Sequence, residues 1–284
     1  MAARRGAQLI AQMNSFVVPP GTLALWWLGQ MGVAVKGPDQ QIVYIDPFLT
    51  GPLAVEHPDP TFLWGRAVPP PLLPSDITNA ALVICSHEHG DHTNPETLAG
   101  IAAASPQARF VATGWSAAAM ASAGIAADRW SQPKTEIAHD HGVLQVRYIA
   151  AAHYTREYDA ARGERWVSIH LDWGDVALFH SGDTVLYDGY SDLVGALPPA
   201  DVGIVACNGS DAMRNARDIV GNMQPAEAAA LALRAGWATL ISGHNDMFAS
   251  NRLPAAEVAS QIERVAPRLA HHTLTAGELL IVQR

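Results

Sequence analysis

Long apolar runs are missing from this chain: no stretch approaches the ~20 residues that carry a helix across a bilayer. Cysteine is scarce. Cys85 and Cys207 are the only two, and each closes an apolar run, which excludes a disulfide scaffold and reads as a pair of buried, reduced thiols. Basic residues are in deficit, 18 Lys and Arg against 27 Asp and Glu, so the net charge is -9. A nucleic-acid backbone as main partner needs a basic face that this balance does not supply, although a local basic pocket remains open. With 49% hydrophobic and only 16% charged residues, disorder is excluded as well. Internal repeats, low-complexity linkers and breaks in composition are also lacking, so residues 1–284 are expected to form a single domain. The opening "MAARRGAQLIAQMN" carries twin arginines, but Gln8, Gln12 and Asn14 interrupt the apolar run after them. It is too short and too polar for a signal core, and a soluble, cytoplasmic protein is expected. A homo-oligomer is neither required nor excluded.

What is present is a dense alternation of short apolar segments and turns. Residues 22–29, 32–37 and 41–47 read as strands of an antiparallel meander, joined by Gly, Pro and Asp turns. A Pro-rich stretch, 52–74, is long for a compact domain and is a candidate wall or lid of a site. "AALVIC" (80–85) reads as a buried strand; after it, Asn94 as cap and Pro95 in the first turn predict a helix. A strand at 109–113 and a helix over 114–124, stopped by Gly124, come next. Strands are predicted at 142–153, 165–174 and 175–183. The last quarter alternates strand (201–207), helix (224–236), strand (238–242), helix (253–266) and strand (278–283). Two sheets with outer helices fit this order.

The most specific feature is "SHEHGDH", Ser86 to His92, with three histidines and two carboxylates in seven residues directly after a strand. In a helix His87 and His89 would point about 200° apart, whereas in an extended segment they share a face with Asp91, leaving His92 on the other. Such a loop offers ligands in two directions, as two neighbouring metals require. Further ligands are then needed, and three later strand ends supply them: His153, Asp183 and His244, the last two after Ser-Gly. The glycine before Asp183 would allow close backbone approach. "HDHG" (139–142) imitates the motif but precedes a strand and reads as a turn. His170 and His180, inside strands, read as satisfied or surface imidazoles, and His57, His271 and His272 have no ligand context.

"HEHGDH", followed by His, Asp and His at those strand ends, resembles the metallo-β-lactamase superfamily over nearly the whole chain. "VPPGTLALWWLGQMGVAVKG", "HSGDTVLYDGY" and "NMQPAEAAAL" are similar to the branch containing L-ascorbate-6-phosphate lactonase, which is related to the N-acylphosphatidylethanolamine phospholipase D type of phosphodiesterase. The resemblance implies an α/β fold, the αββα four-layer sandwich. It implies two divalent metal ions, zinc or manganese: one held by His87, His89 and His153, the other by Asp91, His92 and His244, with Asp183 bridging. Asp46, closing "VYIDP", would sit beside the metal loop and orient a ligand.

The chemistry implied is metal-assisted hydrolysis, with Asp91 and Asp183 placed to handle the proton of the attacking water. "SGDT" and "CNGS" do not form a nucleophile elbow, and none is needed. Arg214 and Arg217, in the loop 209–223, are candidates to grip a phosphate or carboxylate, with Tyr154 and Arg156 as weaker substrate contacts. A small anionic lactone, sugar-acid or phosphorylated, is the expected substrate. The alternatives are a phosphodiesterase and a non-catalytic metal-binding sensor module. The segment 153–166 differs from the lactonase, as does the length before the metal loop, and both regions shape the pocket.

Overall fold

The computed structural model describes residues 3–51, 64–135, 137–217 and 219–284. Its first sheet contains β1 (Thr22–Gly29), β2 (Gly32–Lys36), β3 (Ile42–Ile45), β4 (Ala80–Cys85), β5 (Arg109–Ala112) and β6 (Trp130–Ser131). The second contains β7 (Ala138–His141) and β8 (Leu144–Ala150). After the small hairpin β9 (Tyr158–Asp159) and β10 (Gly163–Glu164) it continues with β11 (Val167–Asp172), β12 (Ala177–His180), β13 (Val202–Ala206), β14 (Thr239–Gly243) and β15 (Ala270–His272). The last strand, β16 (Leu279–Gln283), returns to the first sheet beside β1.

β1 to β3 form the expected antiparallel meander. Every residue of β1 is buried, because both of its faces are covered. Leu23, Leu25 and Trp27 point between the sheets, against Val146, Ile169, Leu178, Ile204 and others of the second sheet. Ala24, Trp26 and Leu28, one residue out of phase, meet the helices of the opposite face.

Those outer helices are α1 (Gly6–Ser15), α2 (Pro95–Ala104) and α3 (Ala117–Ser122) on the first sheet, through Leu9, Met13, Leu98, Ile101 and Met120. On the second sheet lie α4 (Tyr190–Gly195), then, after the one-turn α5 (Ala212–Asn215), α6 (Pro225–Ala235) and α7 (Ala255–Val265), with Val194, Leu231, Val258 and Ile262 against Phe179 and Leu240. The four layers are therefore α, β, β and α, the arrangement expected.

Local signals explain the boundaries. Asn94 caps α2 by accepting the Thr97 amide at 2.8 Å, worth about 1 kcal/mol, and Pro95 follows it. α3 is shorter than expected, since its first turn is a 3₁₀ turn at Gly114–Ser116, and Gly124 ends it with φ +68. α1 was not anticipated. It docks through Leu9 and Met13, its start is held by the Arg5 guanidinium on the carbonyls of Pro69 and Pro70, and its end by the buried Lys36 ammonium on the carbonyls of Met13, Asn14 and Phe16. "HDHG", expected to be a turn, is one only at its glycine: His139–His141 belong to the strand Ala138–His141 paired with β8, and the chain reverses at Gly142, φ +73. Of the Pro-rich stretch and its His57, residues 52–63 lie outside the described residues. The part from Trp64 to Val68 packs on Phe48, Met247 and Phe248. No helix among the described residues is long and apolar enough to cross a membrane.

Strand direction places the chemistry. β12, β13 and β14 are parallel, and β8 runs with them because both β8 and β12 are antiparallel to β11. β3 and β4 are likewise parallel. The carboxyl ends of these strands therefore line one rim of the sandwich, where α/β folds gather their polar side chains.

Candidate metal centre

From the first sheet, β4 delivers Ser86 to His92 to the rim, and the chain then turns, with the amides of His92 and Thr93 both donating to the His89 carbonyl. From the second, His153 follows β8, Asp183 follows β12 and His244 follows β14. The turn before Asp183 admits only glycine: Gly182 has φ +56, and a Cβ there would lie 2.7 Å from the Val167 carbonyl and 2.9 Å from the Ser86 Cβ. This is the close approach anticipated at that position.

The side chains converge in two groups joined by a third. His87, His89 and His153 form one, Asp91, His92 and His244 another, and His87, His92 and Asp183 the third; within each, the ligand atoms lie within 4.8 Å of one another and could hold a metal ion. Asp183 lies between the first two. Its Oδ1 is 3.4 Å from His92 Nε2, and its Oδ2 is 2.9 Å from His244 Nε2 and 3.6 Å from His153 Nε2. Nε2 of His87, Nε2 of His92 and Oδ1 of Asp183 are buried without a hydrogen-bond partner among the described residues. Unpartnered buried nitrogens and a carboxylate oxygen facing one another are costly unless a cation satisfies them. The residues present therefore fit a metal, and imidazole with carboxylate suits zinc, manganese or iron.

The partition differs from the parity reading of "HEHGDH", in which Asp91 shares a face with His87 and His89. Because the chain bends at Gly90 instead of continuing extended, Asp91 joins His92 and His244.

A relay behind the ligands sets their tautomers. Asp46 Oδ2 accepts the His92 Nδ1 proton at 2.8 Å and the Ser86 hydroxyl at 2.7 Å, while Oδ1 accepts the Ser86 amide at 2.7 Å. Ser86 Oγ in turn lies 3.0 Å from His87 Nδ1 and accepts its proton. Both rings thus keep a proton on Nδ1 and turn Nε2 toward the cluster, where it can serve a cation. Ser86 carried no signal in the sequence, being neither a ligand type nor in a recognisable nucleophile motif.

Charge divides the histidines. Burial lowers His92, but the Asp183, Asp91 and Asp46 carboxylates outweigh it and hold the ring well above its ordinary 6.5. His244 is also penalised by burial, yet Asp183 and Asp91 raise it to about 9. Burial dominates at His153, lowered to about 4, and at His87, lowered well below its ordinary value. Burial acts to raise Asp183, but the His244 and His92 charges prevail and keep it well below the usual carboxylate range.

The candidate substrate residues fare differently. Tyr154 is 41% exposed at the rim, its ring stacked on His153 at 4.6 Å. Arg156 pairs with Glu164 at 2.5 Å. Arg217 donates to the Met213 carbonyl at 3.1 Å. Arg214 is not the outward clamp expected. It is only 7% exposed, and its guanidinium donates to Asp211 Oδ2 at 2.5 Å, to Asn251 Oδ1, and to the Asn208 and Gly209 carbonyls at 2.9 and 3.0 Å. Asn251 also receives Asn208 Nδ2, which lies 3.1 Å from His244 Nδ1, so Arg214 supports His244 from behind.

Other contacts escaped the sequence reading. Arg165 holds the metal loop by its middle, with Nε donating to Glu88 at 2.6 Å while the guanidinium stacks over Trp166. Gln30, in the β1–β2 turn, donates to Asp91 Oδ2 at 2.7 Å. His180 is satisfied as expected, its two nitrogens engaged by the Met31 carbonyl and the Gly182 amide. His170 is buried with neither ring nitrogen hydrogen-bonded among the described residues, unlike either state anticipated for it.

The sequence profile of the beta-lactamase superfamily domain matches residues 41–245. No curated protein matches the chain. Among solved structures, Igni18, a novel metallo hydrolase from the hyperthermophilic archaeon Ignicoccus hospitalis, has a TM-score of 0.67 at 18% identity, covering 93% of this chain and 99% of its own. Isothiocyanate hydrolase from Delia radicum gut bacteria has a TM-score of 0.70 at 15% identity, covering 92% and 100%. YhfI from Bacillus subtilis, a metallo-beta-lactamase fold protein, has a TM-score of 0.64 at 12% identity, covering 92% and 99%. At such identities these likenesses establish the shared fold. With the profile spanning most of the sequence and both metal-ligand groups, the chain belongs to the beta-lactamase superfamily and has the metallo-β-lactamase fold.

Proposed function

We propose that this protein is a metal-dependent hydrolase that holds two divalent cations, zinc or manganese, and opens a small lactone. His87, His89 and His153 would hold one cation, Asp91, His92 and His244 the other, and Asp183 both. The observation that carries the reading is Asp183, buried between two ligand groups with Oδ1 unpartnered among the described residues. Cations held there would supply Lewis acidity toward the ester carbonyl and an attacking water ionised near neutral pH.

The chain's own residues do the rest. Asp46 and Ser86 keep the His92 and His87 rings in the tautomer that leaves Nε2 free. Asp91 and Asp183 are the carboxylates that would accept the hydrogen bond of the attacking water, and one of them would pass its proton to the leaving alkoxide. Burial raises the Tyr154 phenol, so it stays protonated and can donate to a substrate oxygen at the rim. The lactone class rests on the motif resemblance to the ascorbate-6-phosphate lactonase branch. An anionic substituent would be met by Arg217 or Arg156, since Arg214 faces inward.

The test is Asp183→Asn with a substrate panel. The amide keeps the volume but cannot carry shared charge or accept the proton, so kcat should fall by about 100-fold or more with the circular dichroism spectrum unchanged. The wild type, loaded with zinc and separately with manganese, is assayed on lactones, phosphodiesters, RNA and β-lactams. Near-normal turnover by the variant at full metal content would remove Asp183 from the mechanism. Rapid phosphodiester cleavage without lactone opening would change the substrate class.

A further inference from the structure

We propose that Gln30 is a positioning residue for the cation assigned to Asp91, His92 and His244, an inference that rests on the two-cation reading above. Gln30 sits in the turn between β1 and β2, on the rim where the strand ends of both sheets meet. It is 1% exposed. Its carboxamide Nε2 donates to Asp91 Oδ2 at 2.7 Å and lies 3.0 Å from His244 Nε2. Asp91 belongs to the loop after β4 of the first sheet, and His244 follows β14 of the second. One uncharged side chain therefore touches a ligand from each half of the fold.

The backbone is built to hold it there. The Gln30 amide donates to Asp246 Oδ1 at 3.1 Å, and its carbonyl accepts the His244 amide at 2.7 Å. Among the described non-glycine residues four have φ in the left-handed region, and three of them are Gln30 (+61), Asp46 (+45) and His244 (+63). Each such conformation costs about 1–3 kcal/mol and persists where surrounding contacts impose it. Gln30 Oε1, moreover, is buried with no hydrogen-bond partner among the described residues. The left-handed φ of Gln30 is what a two-residue hairpin loop between Gly29 and Gly32 requires at its first position, but such a turn does not require a carboxamide turned inward. That orientation is accounted for if the side chain fixes the Asp91 carboxylate beside the His244 ring.

The contacts make the role selective. Gln30 donates a side-chain hydrogen bond to Asp91 and lies against His244, both of one ligand group, and among the described residues it has no such contact with His87, His89 or His153. Its removal should weaken one cation and spare the other. Chelator-treated wild type, Gln30→Ala and Gln30→Glu are titrated calorimetrically with zinc. The wild type should take up two equivalents. Gln30→Ala should keep one at wild-type affinity and lose about 10- to 100-fold on the other, the range for residues that orient metal ligands. Gln30→Glu retains the reach and adds an anion, so the weakened equivalent should return at least to the wild-type value. Equal affinities in wild type and Gln30→Ala would overturn the inference and leave the two-cation reading standing. Parallel loss of both equivalents would overturn it too, as a general structural effect. A wild type that binds fewer than two equivalents removes the reading itself and the inference with it.

Discussion

Asp46 accepts the Nδ1 proton of His92 at 2.8 Å from the end of a neighbouring strand, and the opposite nitrogen of that ring is left facing the ligand cluster. The same carboxylate receives the Ser86 hydroxyl and amide, so it governs two rings, one directly and one through Ser86.

Asp46→Asn tests that arrangement. The amide preserves volume but loses the charge that draws the imidazole proton, and one of its two polar atoms becomes a donor. Zinc affinity, read by competition with a chromophoric chelator, should weaken by about 10- to 100-fold while the fold persists. Unchanged affinity would mean that the ring is oriented by packing alone.

The raised histidines give a pH signature to the cation-free protein. His244 moves from its ordinary 6.5 to about 9, and His92 is raised as well. A group raised on folding contributes stability that is fully present below its unfolded value and lost as pH rises through the folded one. With chelator present, the melting temperature should therefore decline from about pH 6.5 to pH 9. His153 and His87, whose values fall on folding, are half charged in the unfolded chain at pH 6.5 and oppose the decline there; about one pH unit higher they are neutral in both states, so the decline is read in the upper part of the window. Saturating zinc replaces the two protons as counter-charge to Asp91 and Asp183, so the decline should vanish. A flat profile with chelator would show that neither imidazole carries its second proton in the folded, cation-free state.

Arg214→Ala should behave as a lesion of the fold. Its guanidinium serves Asp211, Asn251 and two main-chain carbonyls, and truncation leaves buried acceptors unmet. The loss should be about 1.5–3 kcal/mol, read from the urea midpoint. KM for matched anionic and neutral lactones should change by the same factor. A KM increase confined to the anionic substrate, at unchanged stability, would restore the outward clamp.

Much of this was legible because it follows from periodicity and from strand ends. The short apolar run "TLALWWLG", the Asn94-Pro95 start and the glycine before Asp183 each have a local cause, and each appears where local causes put it. Parity within "HEHGDH" failed because it presumes an extended chain, and the bend at Gly90 moves Asp91 across. Gln30, Ser86 and Asn208 were invisible for another reason. A glutamine in a hairpin turn acquires meaning only when another strand brings Asp91 within 2.7 Å of it. Arg214 shows the converse: a loop arginine reads as exposed until Asn251, from a distant segment, closes over it.

The ligands are divided between the sheets: His87, His89, Asp91 and His92 come from the first, and His153, Asp183 and His244 from the second. Neither half of the chain possesses a complete set, so on the proposed two-cation reading the full site forms only after the halves have docked. An ion bound there would stabilise the folded state by an amount that grows with its free concentration, and because the full set exists only after docking, it would slow separation of the sheets more than it speeds their assembly. The ion would then act as a latch on the seam of the sandwich. Depriving the protein of it should let amide hydrogen exchange spread from the rim at Gly182–Asp183 and His244, leaving the strands far from that rim protected.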